Sequence, residues 1–446
     1  MTQMRCIVKG GKPLKGKVRL AGDKSLSHRA ILFAALAEGR SEIENLLLAG
    51  VTQPMLAALT AFGVEWSLDG QHLTVEGKGL QGWRDPAGVI DCGNSATTMR
   101  LLAGAMAATN VSGVLDGSAG LRRRPMDRIV QPLQKMGVAI EATDGYAPLL
   151  ISRSQHPLRG LEHELSVASA QVKSCLILAA LVADQPTRLC EPGPSRDHTE
   201  RMLASMGAKI QSILPETSGK GYQTWVEPLA QPLRPLQMHL PGDISSAAFF
   251  LVGGLIAPDS QIEIENVGLN PTRCGLLEAL EEMQATLAVE ETQAQGGEPC
   301  GHIRVQSSAL VATAVMGERV VRMIDEFPVF GVAAAYANGE TCVADAQELR
   351  YKESDRIARL CQELRKLGVE AIETPDGFRI VGKGKLSGGV VEAHGDHRLA
   401  MALIVAGLGS QEPVIVHGAE VVSESLPQFI PFLQSLGADI RCEMDA

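Results

Sequence analysis

Apolar residues along this chain fall into two kinds of helix-length segment, and the two alternate. The first kind opens on a short polar turn and continues as apolar and small residues with no polar stripe. It reads GDKSLSHRAILFAALAEG from Gly22, CGNSATTMRLLAGAMA from Cys92 and SVASAQVKSCLILAALVA from Ser166. It recurs as GDISSAAFFLVGGLIA from Gly242, IDEFPVFGVAAAYANG from Ile324 and GDHRLAMALIVAGLG from Gly395. A helix that is apolar on every side belongs inside the protein. The second kind, as in RPMDRIVQPLQKMGVAI or SDRIARLCQELRKLGVEAI, has one apolar stripe and a charged face, so it belongs outside. These outer helices usually stop at a Gly, the residue suited to a left-handed C-cap, before residues that alternate toward a strand. The fourth, PTRCGLLEALEEMQATL, lacks that Gly.

The repeat spacing, roughly 70–80 residues, is that of a few strands and helices and not of a solenoid. Each copy is therefore expected to be a βαβα-type unit with one central and one peripheral helix. Copies one and four are the most alike: VRLAGDKSLSHRAIL from Val18 and MHLPGDISSAAFFL from Met238 share L-x-G-D-x-S. Two homologous halves of three units follow, the first over residues 21–240 and the second from 241 onward. On the repeat alone, residues 1–20 could join either half.

Composition narrows the function. At 446 residues, with 45% hydrophobic and 21% charged residues, the chain is a soluble, two-domain candidate. A net charge of −10 argues against nucleic acid, which needs Lys and Arg to neutralise phosphates. The nine cysteines are scattered and show no C-x-x-C pair, so neither a zinc site nor a disulfide framework is expected and a reducing cytoplasm fits. The opening MTQMRCIVKGGKPLKG has no signal-peptide run. Apolar stretches such as Ala30–Ala37 or Met401–Leu408 are too short for a bilayer, so no membrane association is expected.

The chemistry is expected at the turns that open the buried helices, because helix N-termini favour phosphate and carboxylate. Copy one offers Lys24, Ser25 and Arg29; copy two Asn94, Ser95, Thr97 and Arg100; copy three Ser169, Gln171 and Lys173. Arg122–Arg124, Arg196 with Asp197, Lys352 with Arg356, and His397 with Arg398 stand at other helix starts. Basic residues there oppose the helix dipole by about 0.3–1 kcal/mol each. Repetition of that arrangement points to a shared anionic ligand. Asp325 and Glu353 lie among these cations, well placed to move protons. Each could equally be a capping or surface ion-pair residue. In H-G-D-H, His394 and His397 lack a third spaced ligand, and no phosphate-loop or dinucleotide motif occurs, so neither metal nor cofactor is expected.

The segments G-D-K-S-L-S-H-R, G-N-S-A-T-T-M-R, R-R-P-M, A-S-A-Q-V-K-S, S-R-D-H-T-E, I-D-E-F-P, Y-K-E-S-D-R and G-D-H-R occur in this order. With them the chain resembles the 5-enolpyruvylshikimate-3-phosphate synthase family over essentially its whole length. The resemblance implies an α/β (α+β) fold of two similar domains, each of three βαβαββ units with buried central helices. The domains would be 21–240 and 1–20 plus 241–446, with the active site in the cleft between them. It implies transfer of the enolpyruvyl group of phosphoenolpyruvate to shikimate 3-phosphate, with no metal or organic cofactor and with the chain acting as a monomer. By motif, shikimate 3-phosphate would be held by Lys24, Ser25, Arg29, Ser169, Ala170, Gln171, Ser195, Arg196, Asp325 and Lys352. Phosphoenolpyruvate would be held by Lys24, Ala96, Arg124, Gln171, Arg356 and Arg398. The catalytic set would be Asp325, as base toward the attacking hydroxyl, Glu353, as acid toward the methylene carbon, and Lys24.

Three positions depart from the family's pattern. Glu424 stands where many members carry a Lys, Glu348 falls near an Asn that some members use, and Ala96 replaces the Gly of herbicide-sensitive members. Together with A-S-A-Q-V-K-S and R-D-H-T-E, Ala96 resembles the glyphosate-insensitive class. A related family, the UDP-N-acetylglucosamine enolpyruvyl transferases, opens its first unit with K-N and carries a loop Cys. Here D-K-S and Arg122–Arg124 stand instead. A non-catalytic anion-binding protein is the remaining alternative, and the presence of both Asp325 and Glu353 speaks against it.

Overall fold

The structure, a computed structural model, describes residues 4–213 and 221–444. The ends of the 1–20 and 241–446 boundaries (residues 1–3 and 445–446) lie outside the described residues. The chain divides into two compact units. One spans Ala21–Pro241 together with Ala294–Glu298; the other joins the segment ending at Leu20 to the rest of the second half. The five-residue excursion at Ala294–Glu298 has no counterpart in the repeat pattern.

Six inner helices start where the polar turns end: Lys24–Leu36, Ala96–Thr109, Ala170–Ala180, Ile244–Ile256, Phe327–Tyr336 and His397–Ala406. Their burial is nearly complete; every residue of Phe327–Tyr336 is buried. Small residues let them approach closely. A Cβ on Gly104 would lie 2.3 Å from the Cys175 carbonyl oxygen of the neighbouring inner helix, so nothing larger fits there. The outer helices bury one stripe only, as Ile129, Val130, Pro132 and Leu133 do in Asp127–Lys135.

Each unit of the repeat forms a four-stranded sheet of the same order. In the second, Ile90–Asp91 is parallel to Gly113–Asp116 across the inner helix, and Tyr146–Ser152 and Ala139–Thr143 follow antiparallel. The leading strands of copies one and four are exchanged. Lys15–Arg19, which precedes the first inner helix, pairs in parallel with Gln261–Gly268; Gln237–His239, which precedes the fourth, pairs with Glu38–Glu44. The N-terminal strand Met4–Lys9 closes the sixth sheet between Val414–His417 and Asp439–Met444.

That last pairing corrects the cysteine expectation. Cys6 and Cys442 face each other across the strands and form a disulfide, 436 residues apart in sequence. Scattered cysteines look unpaired until a non-local register brings them together.

The glycine stops behave as their pattern predicts: Gly63, Gly137, Gly207, Gly368 and Gly437 all take positive φ. In the fourth copy Gln284 occupies the corresponding left-handed position at φ 63°. A side chain there strains the backbone, while Gly would loosen the unfolded chain. Gln284→Gly is expected to stabilise the protein by about 0.5–1 kcal/mol net. A denaturant midpoint at or below the parent's would contradict this.

Candidate active site

Four of the six inner helices are capped by the acidic or hydroxyl residue of their turn. Asp23 accepts from the Leu26 N–H, Ser95 from Thr98, Asp243 from Ser245, and Asp396 from Arg398 and Leu399. Ser169 and Glu326 make no such bond. Ser169 is one of the candidate ligand residues, and Glu326 directly follows Asp325.

In the unit Ala21–Pro241, side chains link the first turns of the three inner helices. Ser95 Oγ lies 3.3 Å from His28 Nε2; Gln171 Nε2 donates to Thr97 Oγ1 at 2.9 Å; Arg29 donates to Ser174 Oγ at 2.8 Å. Three helix N-termini are thereby gathered at one end of the unit, a concentration of free N–H groups and positive potential suited to anions. Around it stand the sequence candidates. Arg196 reaches Ser25 Oγ at 3.5 Å, and Arg100 donates to Gln171 Oε1 at 2.6 Å. Lys24, Ser169 and Ala170 are half-buried there. Ser195 is buried, and its hydroxyl has no hydrogen-bond partner among the described residues. Arg124 is half-buried, and Ala96 is buried as the first residue of its helix. Arg29 is almost wholly buried, and three of its N–H donors go to the Ser25 carbonyl, Thr199 and Ser174. Burial pulls its pKa down to about 10. His28, equally buried between the Lys24 and Val51 carbonyls, is pulled down to about 4, chiefly by burial.

The other unit centres on Arg356, one of its largest fully buried side chains. Its Nε lies 2.8 Å from Asp396 Oδ2, and its Nη2 lies 2.8 Å from Glu353 Oε2 and 3.2 Å from Asp396 Oδ1. The remaining nitrogen, Nη1, has no hydrogen bond among the described residues and lies 3.7 Å from Asp325 Oδ1. Burial by itself would lower the guanidinium pKa, but Glu353, Asp396 and Asp325 outweigh it and raise it. Arg398 donates to the Asp325 carbonyl at 3.2 Å, and its Nη2 lies 3.9 Å from the Asp325 carboxylate. Lys352 is half-buried beside Glu353. Here too helix starts converge, since Arg398 lies in the first turn of one inner helix, Glu326 precedes another, and Glu326 accepts from Ser245 of a third.

Several sequence candidates turn elsewhere. Lys173 points into a buried ion cluster with Glu191 and Glu200. Arg122 pairs with Asp116. His394 bonds to the buried Glu363 at 2.8 Å. Among the described residues no cluster of His, Cys, Asp or Glu could hold a metal, and no helix is long and apolar enough to cross a membrane. Glu424 lies with most of its side chain exposed, 4.0 Å from His397 Nδ1, and its pKa is raised by partial burial, then by Glu353 and Asp396. Sequence reasoning missed Asp396 as the partner of Arg356, and it missed Arg273, which joins Ser245 and Asp243 in the core. The repeated G-D turn was the available signal, because an N-cap Asp has a second oxygen to offer.

Known proteins share this sequence and fold. The family model described as EPSP synthase (3-phosphoshikimate 1-carboxyvinyltransferase) matches residues 8–433. A 3-phosphoshikimate 1-carboxyvinyltransferase from Alkalilimnicola ehrlichii is 45% identical over 433 residues, 96% of this chain and 95% of the relative. One from Herpetosiphon aurantiacus is 45% identical over 430 residues, 96% of this chain and 98% of the relative. A solved EPSP synthase from Acinetobacter baumannii superposes with a TM-score of 0.91 at 39% identity, covering 99% of this chain and 100% of its own. With a family model matching nearly the whole chain, relatives of this identity and a solved structure of the same fold, the chain belongs to the EPSP synthase family of enzymes.

Proposed function

We propose that this enzyme transfers the enolpyruvyl group of phosphoenolpyruvate to the 5-hydroxyl of shikimate 3-phosphate and releases phosphate, in the biosynthesis of aromatic amino acids. The observation that carries the reading is one buried guanidinium, Arg356, holding both Glu353 and Asp325 within reach. Asp325 takes the proton of the attacking hydroxyl, and Glu353 delivers a proton to the methylene carbon. The resulting cationic carbon is attacked by the hydroxyl oxygen, giving a tetrahedral intermediate. Loss of a methyl proton and of phosphate restores the double bond. The neighbouring carboxylates stabilise the positive charge that develops at the carbon.

Recognition follows charge. Lys24, Ser25, Arg29, Ser169, Ala170, Gln171, Ser195, Arg196 and Lys352 serve shikimate 3-phosphate, with Asp325 at the reacting hydroxyl. Lys24, Arg124, Gln171, Arg356 and Arg398 serve phosphoenolpyruvate. The test is phosphate release from phosphoenolpyruvate with shikimate 3-phosphate as acceptor, compared with no acceptor and with UDP-N-acetylglucosamine. Release only with shikimate 3-phosphate supports the reading; release only with the nucleotide sugar, or none, overturns it.

The same reading extends to glyphosate tolerance. Ala96 is buried at the first position of an inner helix, so its methyl has little room to retreat from a ligand at that N-terminus. Pressing one methyl against a tightly held inhibitor costs about 1–3 kcal/mol, which is roughly 5- to 150-fold in affinity. Ala96→Gly is expected to lower the glyphosate inhibition constant at least several-fold, with little change in KM for phosphoenolpyruvate. A Gly variant no more sensitive than its parent would contradict this.

A further inference from the structure

Ser169 opens the third inner helix, yet its hydroxyl does not cap that helix. Its backbone N–H instead donates to Glu191 Oε1 at 3.2 Å. The other oxygen of Glu191 lies 2.7 Å from Lys173 Nζ, and the Lys173 backbone N–H donates to the Ser169 carbonyl at 3.0 Å. A closed ring results, running Ser169, Glu191, Lys173 and back to Ser169. Glu200 Oε1 lies 2.8 Å from the same ammonium, and the three charged side chains are almost wholly buried. The next residue, Ser174, takes Arg29 Nη2 at 2.8 Å and meets Thr199 Oγ1 at 2.6 Å. Glu200 and Thr199 belong to one outer helix, His198–Ser205. That helix therefore holds two inner helices by adjacent residues.

We infer that Glu191, held by Lys173, is a positioning residue for shikimate 3-phosphate. It fixes the Ser169 backbone from behind, so that the Ser169 hydroxyl and the following N–H groups present one geometry to the ligand. The inference rests on the reading that Ser169, Ala170 and Gln171 bind shikimate 3-phosphate, and deepens it. Glu191 touches no substrate and acts through Ser169.

The variants follow from the ring. Glu191→Met removes the acceptor of the Ser169 N–H and leaves Lys173 a balanced buried partner in Glu200. The double variant Lys173→Met with Glu191→Gln, made on a Glu200→Gln background so that no buried carboxylate loses its cation, restores an amide oxygen to Ser169 without a competing ammonium. For Glu191→Met we expect the Kd of shikimate 3-phosphate, by calorimetry, to rise about tenfold, a change of about 1.4 kcal/mol. At saturation kcat should stay within about twofold of the parent. The double variant should bind within about threefold of the parent, whichever of the two variants melts lower. Equal binding by Glu191→Met and the parent would overturn the inference, as would a double variant as weak as the single. Should Glu191→Met not fold, the double variant decides, because tenfold weaker binding by it contradicts the inference. A parent that does not bind shikimate 3-phosphate overturns the functional reading instead.

Discussion

Asp325→Ala and Glu353→Ala are each expected to slow turnover by about 10²–10⁴-fold, the range for a positioned proton-transfer group. The geometry gives each carboxylate a separate task. Glu353 lies 2.8 Å from Arg356 and remains one-third exposed, which suits an acid that must meet a substrate carbon. Asp325 lies between Arg356 and Arg398 at 3.7 and 3.9 Å, close enough to be oriented and far enough for a hydroxyl to approach. Neither carboxylate is part of the core, and Arg356 keeps its bidentate bond to Asp396 in both variants. Thermal unfolding should therefore move little while kcat collapses. Near-normal turnover in either variant would remove that residue from the mechanism.

Asp396→Ala is expected to cost about 3–5 kcal/mol of stability, the range for removing one partner of a buried ion pair. One carboxylate here carries five attachments: Arg356 twice, the Ser354 hydroxyl, and the Arg398 and Leu399 N–H groups of its own helix. Burial by itself would raise the Asp396 pKa, but Arg356 outweighs it and holds the carboxyl below its ordinary value. The stabilisation is then complete above that ordinary value and disappears as pH falls through the depressed one. The parent should lose stability below about pH 4, the ordinary Asp value, and the variant should lose less over the same interval. Urea unfolding at neutral and acid pH measures both. Equal acid sensitivity in the two proteins would show that Asp396 does not hold its charge through Arg356.

The inner helices were legible because a segment that is apolar on every side has only one place to go. The outer helices and their glycine stops were legible through amphipathic period and backbone conformation, and even the missing Gly was informative, since Gln284 now holds the left-handed position. What the sequence hid was non-local. The pairing of Lys15–Arg19 with Gln261–Gly268 and the Cys6–Cys442 disulfide depend on register between distant segments. Side-chain direction was hidden too. Lys173 and Lys24 both look like cations at a helix start, but one turns inward to Glu191 and Glu200. The roles of Asp396 and Glu191 arise only from contacts 40 and 22 residues away.

Reaction in deuterium oxide tests the central claim most directly, because protonation of the methylene carbon must leave a solvent label. Shikimate 3-phosphate and phosphoenolpyruvate incubated with the enzyme should give an enolpyruvyl ether whose vinyl carbon carries deuterium, read by mass spectrometry and proton NMR. The label should vanish with the product in Glu353→Ala. Product formed with no deuterium at the vinyl carbon, or no product at all, would contradict transfer by addition and elimination at this site.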